Sequence, residues 1–362
     1  MEDDRQFEPP TALAALAMVD LLAQASGPLQ LIDALRRIDE TSSLGGYQRE
    51  MTAVAGRLLD DGVDALHVTQ VIAGVNDILA TRLIGLAETK LGKPPCPYAW
   101  LALGSQGRGE QVLSSDQDSA IAFDDAHQSG AEYFPRLAGL VVPALAEAGL
   151  PLCDGGYMAT NWCRPIREFG GLFRGWVERP QPDALVKAEV FMDVRPIHGD
   201  LSVDLLDRIL VGGGSWSQFL AQMAREAVRF APSLGLFGRL RTKDSTIDLK
   251  RGGIAAIVLL ARLYGIAAGS TARTTMARLE AASAAGQLGT AGAGNLAEAY
   301  RTLTTLRLRH QVHQVSAGLS PDNLIRLDQV TAEEQRRLRD GLRVIRDVQE
   351  VTAMRFATHT MT

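Results

Sequence analysis

Apolar residues recur at helical spacing over residues 11 to about 90. Between Leu58 and Leu83 they fall every three or four positions with few β-branched runs, which is typical of packed amphipathic helices. The segment GKPPCP at 92–97 then interrupts this pattern, because proline lacks a backbone donor and clashes with the preceding helical turn. We therefore predict an N-terminal helical region over 1–95.

Short apolar runs replace the helical pattern in the middle of the chain. Tyr98–Leu103, Ser119–Phe123 and Ala188–Arg195 are typical of buried strands, whereas 131–149 has the periodicity of a helix. This mixture predicts a small mixed-sheet core over 96–214.

The remaining residues, 215–362, return to helical periodicity, with Gly-, Ala- and Ser-rich breaks near 265–270 and 281–294. This pattern predicts a C-terminal helical bundle. The predicted fold class is therefore α+β, with a small mixed-sheet core flanked by an N-terminal helical region and a C-terminal helical bundle. A chain of 362 residues is long enough for two or three such domains.

Composition narrows the classes of function. The chain is 46% hydrophobic and 22% charged, with a net charge of −5, so it folds and carries no overall positive field for nucleic acid or an anionic membrane. The N-terminal MEDDRQFEPP lacks the basic and apolar regions of a signal peptide, and apolar runs such as 254–261 are too short to span a bilayer. We expect no nucleic-acid or membrane partner.

Three cysteines, Cys96, Cys153 and Cys163, form no CxxC pair. An odd number without paired spacing argues against a disulfide framework or a structural zinc site. A reducing, cytoplasmic location is expected. Cys153 and Cys163 are interpreted as core thiols.

The segment LGSQGRGEQVLSSDQD, residues 103–118, carries the strongest chemical signal. Asp116 and Asp118 are two residues apart, so on a strand they share one face and can together bind Mg²⁺, which prefers oxygen ligands. The turn at Gly104 and Ser105 allows backbone donors to approach a triphosphate. Arg108 adds a planar charged fork for phosphate oxygens.

A third carboxylate is expected from a neighbouring strand. Asp193 is the candidate, because it shares a strand face with Phe191 and Arg195 in the predicted third strand. Glu189 would share that face as well, so the assignment stays open between the two acids. The alternative for Asp193 is a structural ion pair with Arg195 at a sheet edge.

Two further clusters precede or lie within predicted helices. Lys250 and Arg251 stand beside two glycines ahead of an apolar helix, where charge, backbone donors and the helix dipole favour phosphate. The alternative is a solvated helix cap. His310 and His313 lie one helical turn apart, but no Glu or Cys stands nearby with ligand spacing, so a structural role is preferred over metal binding.

Five segments together resemble a known family. They occur in the order PPCPYAWLALGSQGRGEQ, SSDQDSAI, FMDVRPIHGD, IDLKRGGI and LRLRHQ. In this combination the chain resembles bacterial nucleotidyltransferases usually fused to CBS and cyclic-nucleotide-binding domains. These are related to PII uridylyltransferase and glutamine synthetase adenylyltransferase, within the DNA polymerase beta-like superfamily.

The resemblance implies roles for matched residues. Gly104, Ser105 and Ser115 would belong to the nucleotide-binding signature, with Arg108, Lys250 and Arg251 as nucleotide-binding candidates. The catalytic and metal-binding residues would be Asp116, Asp118 and Asp193, with Mg²⁺ as the cofactor and Mn²⁺ as an alternative. Gln117 stands where the wider superfamily usually has an apolar residue. The sequence also has no His-Asp dipeptide, so the hydrolase domain of PII uridylyltransferase is not expected.

The resulting functional prediction is Mg²⁺-dependent transfer of a nucleoside monophosphate from an NTP to a hydroxyl, with a protein as the expected acceptor, in signal transduction. One alternative is a catalytically silent nucleotide-binding protein that signals through partner contacts. Another is a helical scaffold around a vestigial core. Self-association into a homo-oligomer stays open.

Overall fold

The protein is described here by a computed structural model covering residues 26–39, 44–124, 130–213, 216–235 and 239–358. The helical prediction for 11–25 lies outside these residues. Three helices form the described N-terminal part: α1 (Ser26–Arg36), α2 (Tyr47–Asp60) and α3 (Ala65–Leu91). Their presence confirms the helical pattern seen in the sequence from residue 26 to residue 91.

The residues at both ends of α3 determine where this helix begins and ends. The Asp64 side chain accepts a hydrogen bond from the Leu66 N–H at 2.8 Å, which caps the first turn. Gly92 ends the helix at a φ of +86°. By length and composition α3 could cross a membrane, but Val68, Val75 and Leu79 are completely buried in the protein core. It is therefore explained as the central helix of a packed region.

The central sheet has four strands in the order β3-β2-β1-β4. Its strands are β1 (Tyr98–Ala102), β2 (Ser119–Phe123), β3 (Cys163–Pro165) and β4 (Arg195–Gly199). Strand β1 runs antiparallel to β2 and β4, whereas β2 runs parallel to β3. The mixed sheet and its first two strands confirm the sequence prediction.

Each face of the sheet packs against a different set of helices. Tyr98 and Trp100 join the core formed with the N-terminal helices, whereas Ala99 and Leu101 point into a second core on the opposite face. This alternation is the two-residue period of a strand buried on both sides. Strands β1 and β2 are consequently buried along their whole length, whereas β3 and β4 are partly exposed.

Six helices lie along the central part of the chain and beside the sheet. They are α4 (Gly104–Gly107), α5 (Gly130–Glu147), α6 (Ile166–Glu178), α7 (Pro182–Phe191), α8 (Asp204–Gly212) and α9 (Ser217–Arg229). Helix α5 confirms the helix predicted over 131–149. The predicted loop after β1 contains the one-turn helix α4, which was not expected.

The strand predicted over Ala188–Arg195 is wrong. Helix α7 continues to Phe191, a turn follows, and β4 begins only at Arg195. Leu185, Ala188 and Met192 are buried, a spacing of three and four residues that belongs to a helix. An eight-residue window beginning at Ala188 cuts through this helical period and is too short to reveal it.

The C-terminal part confirms the predicted helical bundle. A π-helical turn at Lys250–Ile254 leads into α10 (Ala255–Ala267), followed by α11 (Thr275–Ala284), α12 (Thr290–Ser316) and α13 (Ala332–Arg355). Strands β5 (Thr246–Asp248) and β6 (Leu324–Arg326) pair antiparallel beside the bundle. Strands of three residues are too short to show a two-residue alternation, which explains why the sequence did not indicate them.

Helix α12 joins the three regions. Its Leu308 is buried in the core that contains the N-terminal helices, and its Leu303 is buried in the C-terminal core. Arg307, which lies between these two leucines, donates to the Ser114 hydroxyl in the loop that precedes β2. Residues of the C-terminal bundle therefore lie beside the loop that leads into the sheet.

Candidate active site

The turn after β1 is shaped by two glycines. Gly104 has a φ of +51°, and a Cβ atom there would lie 2.5 Å from Oδ2 of Asp118. Gly107 could not carry a Cβ either, because the atom would lie 1.9 Å from the carbonyl oxygen of Asp193. The turn therefore packs directly against one predicted site aspartate and against the backbone of another.

Asp116 and Asp118 lie together immediately before β2. Their carboxylate oxygens and the Sγ atom of Cys153 all lie within 4.8 Å of one another. The Leu103 N–H donates to the Asp118 carbonyl at 3.0 Å, which fixes this pair beside the end of β1. Two carboxylates at this separation suit a hard divalent cation such as Mg²⁺ or Mn²⁺.

Cys153 is the member of this group that the sequence did not reveal. A parallel bridge between Gln117 and Leu152, with the Gln117 N–H donating to the Pro151 carbonyl at 2.9 Å, carries the thiol to the aspartates. The same bridge explains Gln117, whose amide donates into the protein, to the carbonyls of Val142 and Leu150. Cys153 is buried, as expected of a core thiol, but it also lines the acidic pair.

The electrostatics of the pair favour a bound cation. Burial, followed by the charge of Asp116, raises the pKa of Asp118 to about 6, against the opposing influence of Cys153, Lys250 and Arg108. Burial and the Asp118 charge raise the pKa of the Cys153 thiol to about 12, so the thiol is protonated at neutral pH. Two nearby carboxylates that resist joint ionisation are stabilised by a divalent ion.

Asp193 occupies a different environment from the one predicted. It is completely buried, and its two carboxylate oxygens accept hydrogen bonds from Arg108, Arg262 and Arg278. The Arg262 Nη2 and Arg278 Nη1 atoms each lie 2.6 Å from it. These charges hold the pKa of Asp193 well below its usual range despite burial. The structure brings Asp193 to three arginines, and it does not bring it into the group formed by Asp116, Asp118 and Cys153.

The sequence also suggested an ion pair between Asp193 and Arg195, and Glu189 as a second candidate carboxylate, and the structure differs from both. Arg195 pairs with Asp77 of α3 at 2.8 Å, not with Asp193. Glu189 lies on helix α7, where burial raises its pKa to about 7 against the opposing charge of Arg262. Because 188–195 is not a strand, Glu189 and Asp193 do not share a strand face.

Arg108 is held by carboxylates. Its Nε donates to Glu110 Oε2 at 2.7 Å, and its Nη1 donates to Asp193. Glu110 in turn accepts a hydrogen bond from the Thr275 hydroxyl at 2.9 Å, at the start of α11. No sequence pattern indicated this role of Glu110, which connects the glycine turn to the C-terminal bundle.

The two predicted serines have different surroundings. Ser105 is half-buried at the glycine turn, and its carbonyl accepts from the Glu110 N–H at 2.8 Å. The Ser115 hydroxyl accepts from the Val112 N–H at 2.9 Å. Ser115 therefore stabilises the loop that carries Asp116.

Lys250 lies near the acidic pair, since its charge acts on Asp118, and it is exposed. Arg251 is exposed as well, and its backbone N–H donates to Asp248 Oδ1 at 2.9 Å. The adjacent Gly252 allows close packing, because a Cβ atom there would lie 2.2 Å from the Ser233 hydroxyl oxygen. The Arg251 backbone thus takes part in the helix cap, and nucleotide binding by Lys250 stays a prediction.

Helix α12 contributes residues that sequence reasoning missed. Arg307 Nη2 donates to the Ser114 hydroxyl at 3.3 Å, and Gln311 Nε2 donates to the same hydroxyl at 2.7 Å. Both belong to the LRLRHQ segment, which was noted as part of the resemblance without a role for these two side chains. His310 of this segment bonds to Asp322 at 3.2 Å, in keeping with a structural role.

The N-terminal helices support the same turn from the other side. Asp77 Oδ1 accepts from Gln106 Nε2 at 2.9 Å, and Arg195, its ion-pair partner, donates to the carbonyls of Gln106 and Gly107. The glycine turn is therefore fixed by α3, β4 and the C-terminal bundle together.

We expect Gly107→Ala to lower the free energy of unfolding by about 1–3 kcal/mol or more, because its Cβ would overlap rigid backbone. The matched control is Gly294→Ala in helix α12, where a Cβ meets no atom within 4 Å and alanine favours the helix. Urea denaturation of the two variants checks this. A Gly107→Ala protein as stable as Gly294→Ala would contradict the packing.

Two family descriptions match most of the chain. Residues 49–183 match the family described as "Putative nucleotidyltransferase DUF294", and residues 217–356 match "Putative nucleotidyltransferase substrate binding domain". The chain is also 26% identical over 304 residues to the bifunctional glutamine synthetase adenylyltransferase/adenylyl-removing enzyme of Streptomyces coelicolor. That match covers 74% of this chain and 29% of the relative.

Proposed function

The chain belongs to the DUF294 nucleotidyltransferase family, and from this premise we propose that it transfers a nucleoside monophosphate from an NTP to an acceptor hydroxyl. The observation that carries the proposal is the Asp116–Asp118 pair packed against the Gly104 turn. Carboxylates for a cation and glycine backbone for phosphates are the two elements that a metal–triphosphate complex needs.

The reaction requires that the acceptor oxygen attack the α-phosphorus of the NTP. The new bond forms between those two atoms, the bond from the α-phosphorus to the α,β-bridging oxygen breaks, and pyrophosphate leaves while the hydroxyl proton passes to solvent. A divalent cation held by Asp116 and Asp118 would neutralise charge on the phosphates. Mg²⁺ is the proposed ion, and Mn²⁺ is the alternative, because carboxylate oxygens suit both of these hard cations.

The protein's own residues would position the substrates. Gly104 and Ser105 would offer backbone donors to phosphate oxygens, and the exposed Lys250 would add a positive charge near Asp118. Arg108 and Asp193 act through their ion pairs, which hold the turn against the C-terminal bundle. We therefore propose a positioning role for Asp193 in place of the third metal ligand expected from sequence. Catalysis would rest on alignment and charge neutralisation.

We further propose that the acceptor is a protein and that the modification serves signalling in the cytoplasm. The support is the resemblance to PII uridylyltransferase together with the name of the Streptomyces relative, which describes adenylyl transfer involving glutamine synthetase. Since this chain spans 29% of that relative, the acceptor and the nucleotide of the relative are hypotheses for this protein.

Radiolabel transfer tests the proposal. Purified protein, Mg²⁺ and a bacterial lysate are incubated with each NTP labelled either at the α- or at the γ-phosphate. We expect a labelled protein band with one α-labelled NTP and no label from its γ-labelled form, because the γ-phosphate leaves in pyrophosphate. Label from the γ-phosphate would indicate a kinase instead. Binding of NTP without any label would favour the catalytically silent nucleotide-binding protein.

A further inference from the structure

Three buried arginines and the largely buried Arg108 lie where the central sheet domain meets the C-terminal bundle. Three of them, Arg108, Arg262 and Arg278, bond directly to the carboxylate of Asp193. The fourth, Arg307, is 7% exposed and differs in its partners. Arg108, Arg262 and Arg278 therefore form ion pairs, whereas Arg307 bonds to no carboxylate among the described residues.

Within the described part of the chain, the hydrogen-bond acceptors of Arg307 are neutral. Its Nε donates to Asn323 Oδ1 at 2.6 Å, and its Nη2 donates to the Ser114 hydroxyl at 3.3 Å. No hydrogen bond from its Nη1 to a described residue is present. A buried guanidinium without a carboxylate is costly in free energy. In keeping with this cost, burial lowers the pKa of Arg307 to about 10.

The unbalanced charge faces the candidate active site. Ser114, which Arg307 contacts, is two residues before Asp116, and the charges of Asp116 and Asp248 act on Arg307 at longer range. Gln311 bonds to the same Ser114 hydroxyl and to Asn323, which holds the guanidinium group in one orientation. Arg307 is thus a buried cation held by hydrogen bonds near the acidic pair, whereas Lys250 is exposed.

We propose that Arg307 binds the β- and γ-phosphates of the NTP, so that the C-terminal helical region forms part of the nucleotide site. The inference rests on the proposed function. A guanidinium group suits phosphate oxygens because its planar donors can make two parallel charge-assisted hydrogen bonds. Binding a phosphate would supply a directly bonded anion, which Arg307 does not have among the described residues.

Two consequences follow for the reaction. Arg307 stabilises the negative charge that develops on pyrophosphate as the bond to the α-phosphorus breaks. It also distinguishes triphosphates from monophosphates, which lack the two groups that it contacts. The region matched to a substrate-binding family would then recognise the nucleotide in addition to any acceptor.

Binding of inorganic pyrophosphate with Mn²⁺, measured by isothermal titration calorimetry, tests the inference without requiring the acceptor. We expect Arg307→Gln to weaken pyrophosphate binding at least about tenfold, as for a lost charge-assisted contact, and Arg307→Lys to recover most of that loss. Arg309→Gln is the matched control, because Arg309 lies on the same helix but is exposed and pairs with Glu334. Its affinity should equal that of the wild type.

A second variant separates charge from structure. Asn323→Asp gives Arg307 a carboxylate at the position of its present 2.6 Å partner and retains the arginine, so the protein should fold. We expect pyrophosphate affinity to fall about tenfold because the free positive charge is neutralised. Unchanged affinity in Asn323→Asp, or in a folded Arg307→Gln, would overturn the role of Arg307 while leaving the proposed function intact. A wild-type protein that binds neither pyrophosphate nor NTP with Mn²⁺ would overturn both.

Discussion

Replacing Asp116 and Asp118 together by asparagine is expected to abolish metal-dependent nucleotidyl transfer, with a loss of at least about a thousandfold. The physical reason is that asparagine keeps the size of the side chain but removes both negative charges, so the divalent cation is no longer held. A bound metal contributes several kcal/mol of charge stabilisation, and each 1.36 kcal/mol is a factor of ten in rate. Label transfer from the α-labelled NTP to the acceptor is the measurement.

The same double variant should fold as well as the wild type or better. Burial and the neighbouring carboxylate already raise the pKa of Asp118, so removing the two charges relieves repulsion. Asp340→Asn is the control, because Asp340 lies in an exposed ion pair with Arg343 on helix α13. Full transfer activity in a folded double variant would refute the metal assignment, whereas loss of activity in the control would show that the assay responds to unrelated charge changes.

Asp193→Asn should have a large effect on stability. The change leaves three arginines without their shared anion, and breaking a buried ion pair in this way typically costs about 3–5 kcal/mol. Asp207→Asn is the matched control, since Asp207 is partly exposed and pairs with one arginine, Arg273, at 2.6 Å. The control should lose about 1 kcal/mol or less. Free energies of unfolding from urea titration compare the two variants.

The pH dependence of stability gives a second readout for Asp193. Its pKa in the folded protein is depressed by the arginines, so the carboxylate stabilises the fold fully above its unfolded pKa of about 3.9. That contribution is lost as the pH falls below this value toward the folded pKa. The wild type should therefore lose stability more steeply than Asp193→Asn between about pH 4 and pH 2. An Asp193→Asn protein with wild-type stability and no transfer activity would instead support a metal-ligand role.

The parts of the site that depend on contiguous sequence could be predicted. Strands β1 and β2 are short apolar segments with clear boundaries. Gly104, Asp116 and Asp118 lie within one segment of 15 residues that connects these two strands. The two-residue spacing of the aspartates and the need for glycine beside Asp118 are local effects, so the sequence pattern carries them.

The remaining parts depend on contacts between distant residues. Asp193 was interpreted from a strand pattern, but its environment is set by Arg262 and Arg278 from the C-terminal bundle, and no local periodicity encodes an arginine 69 or 85 residues away. Cys153 reaches the aspartates through a single β-bridge. Arg307 entered the sequence analysis only within the LRLRHQ segment of the resemblance, and that it bonds to no carboxylate among the described residues becomes apparent only when the helix is packed.

The most direct test of the active-site assignment is a crystal structure of the protein with Mn²⁺ and an NTP analogue that cannot be cleaved between the α- and β-phosphates. We expect anomalous density for Mn²⁺ between Asp116 and Asp118, with the triphosphate between the turn at Gly104 and Arg307. Metal and nucleotide bound elsewhere in the protein, with the two aspartates free of metal, would contradict it.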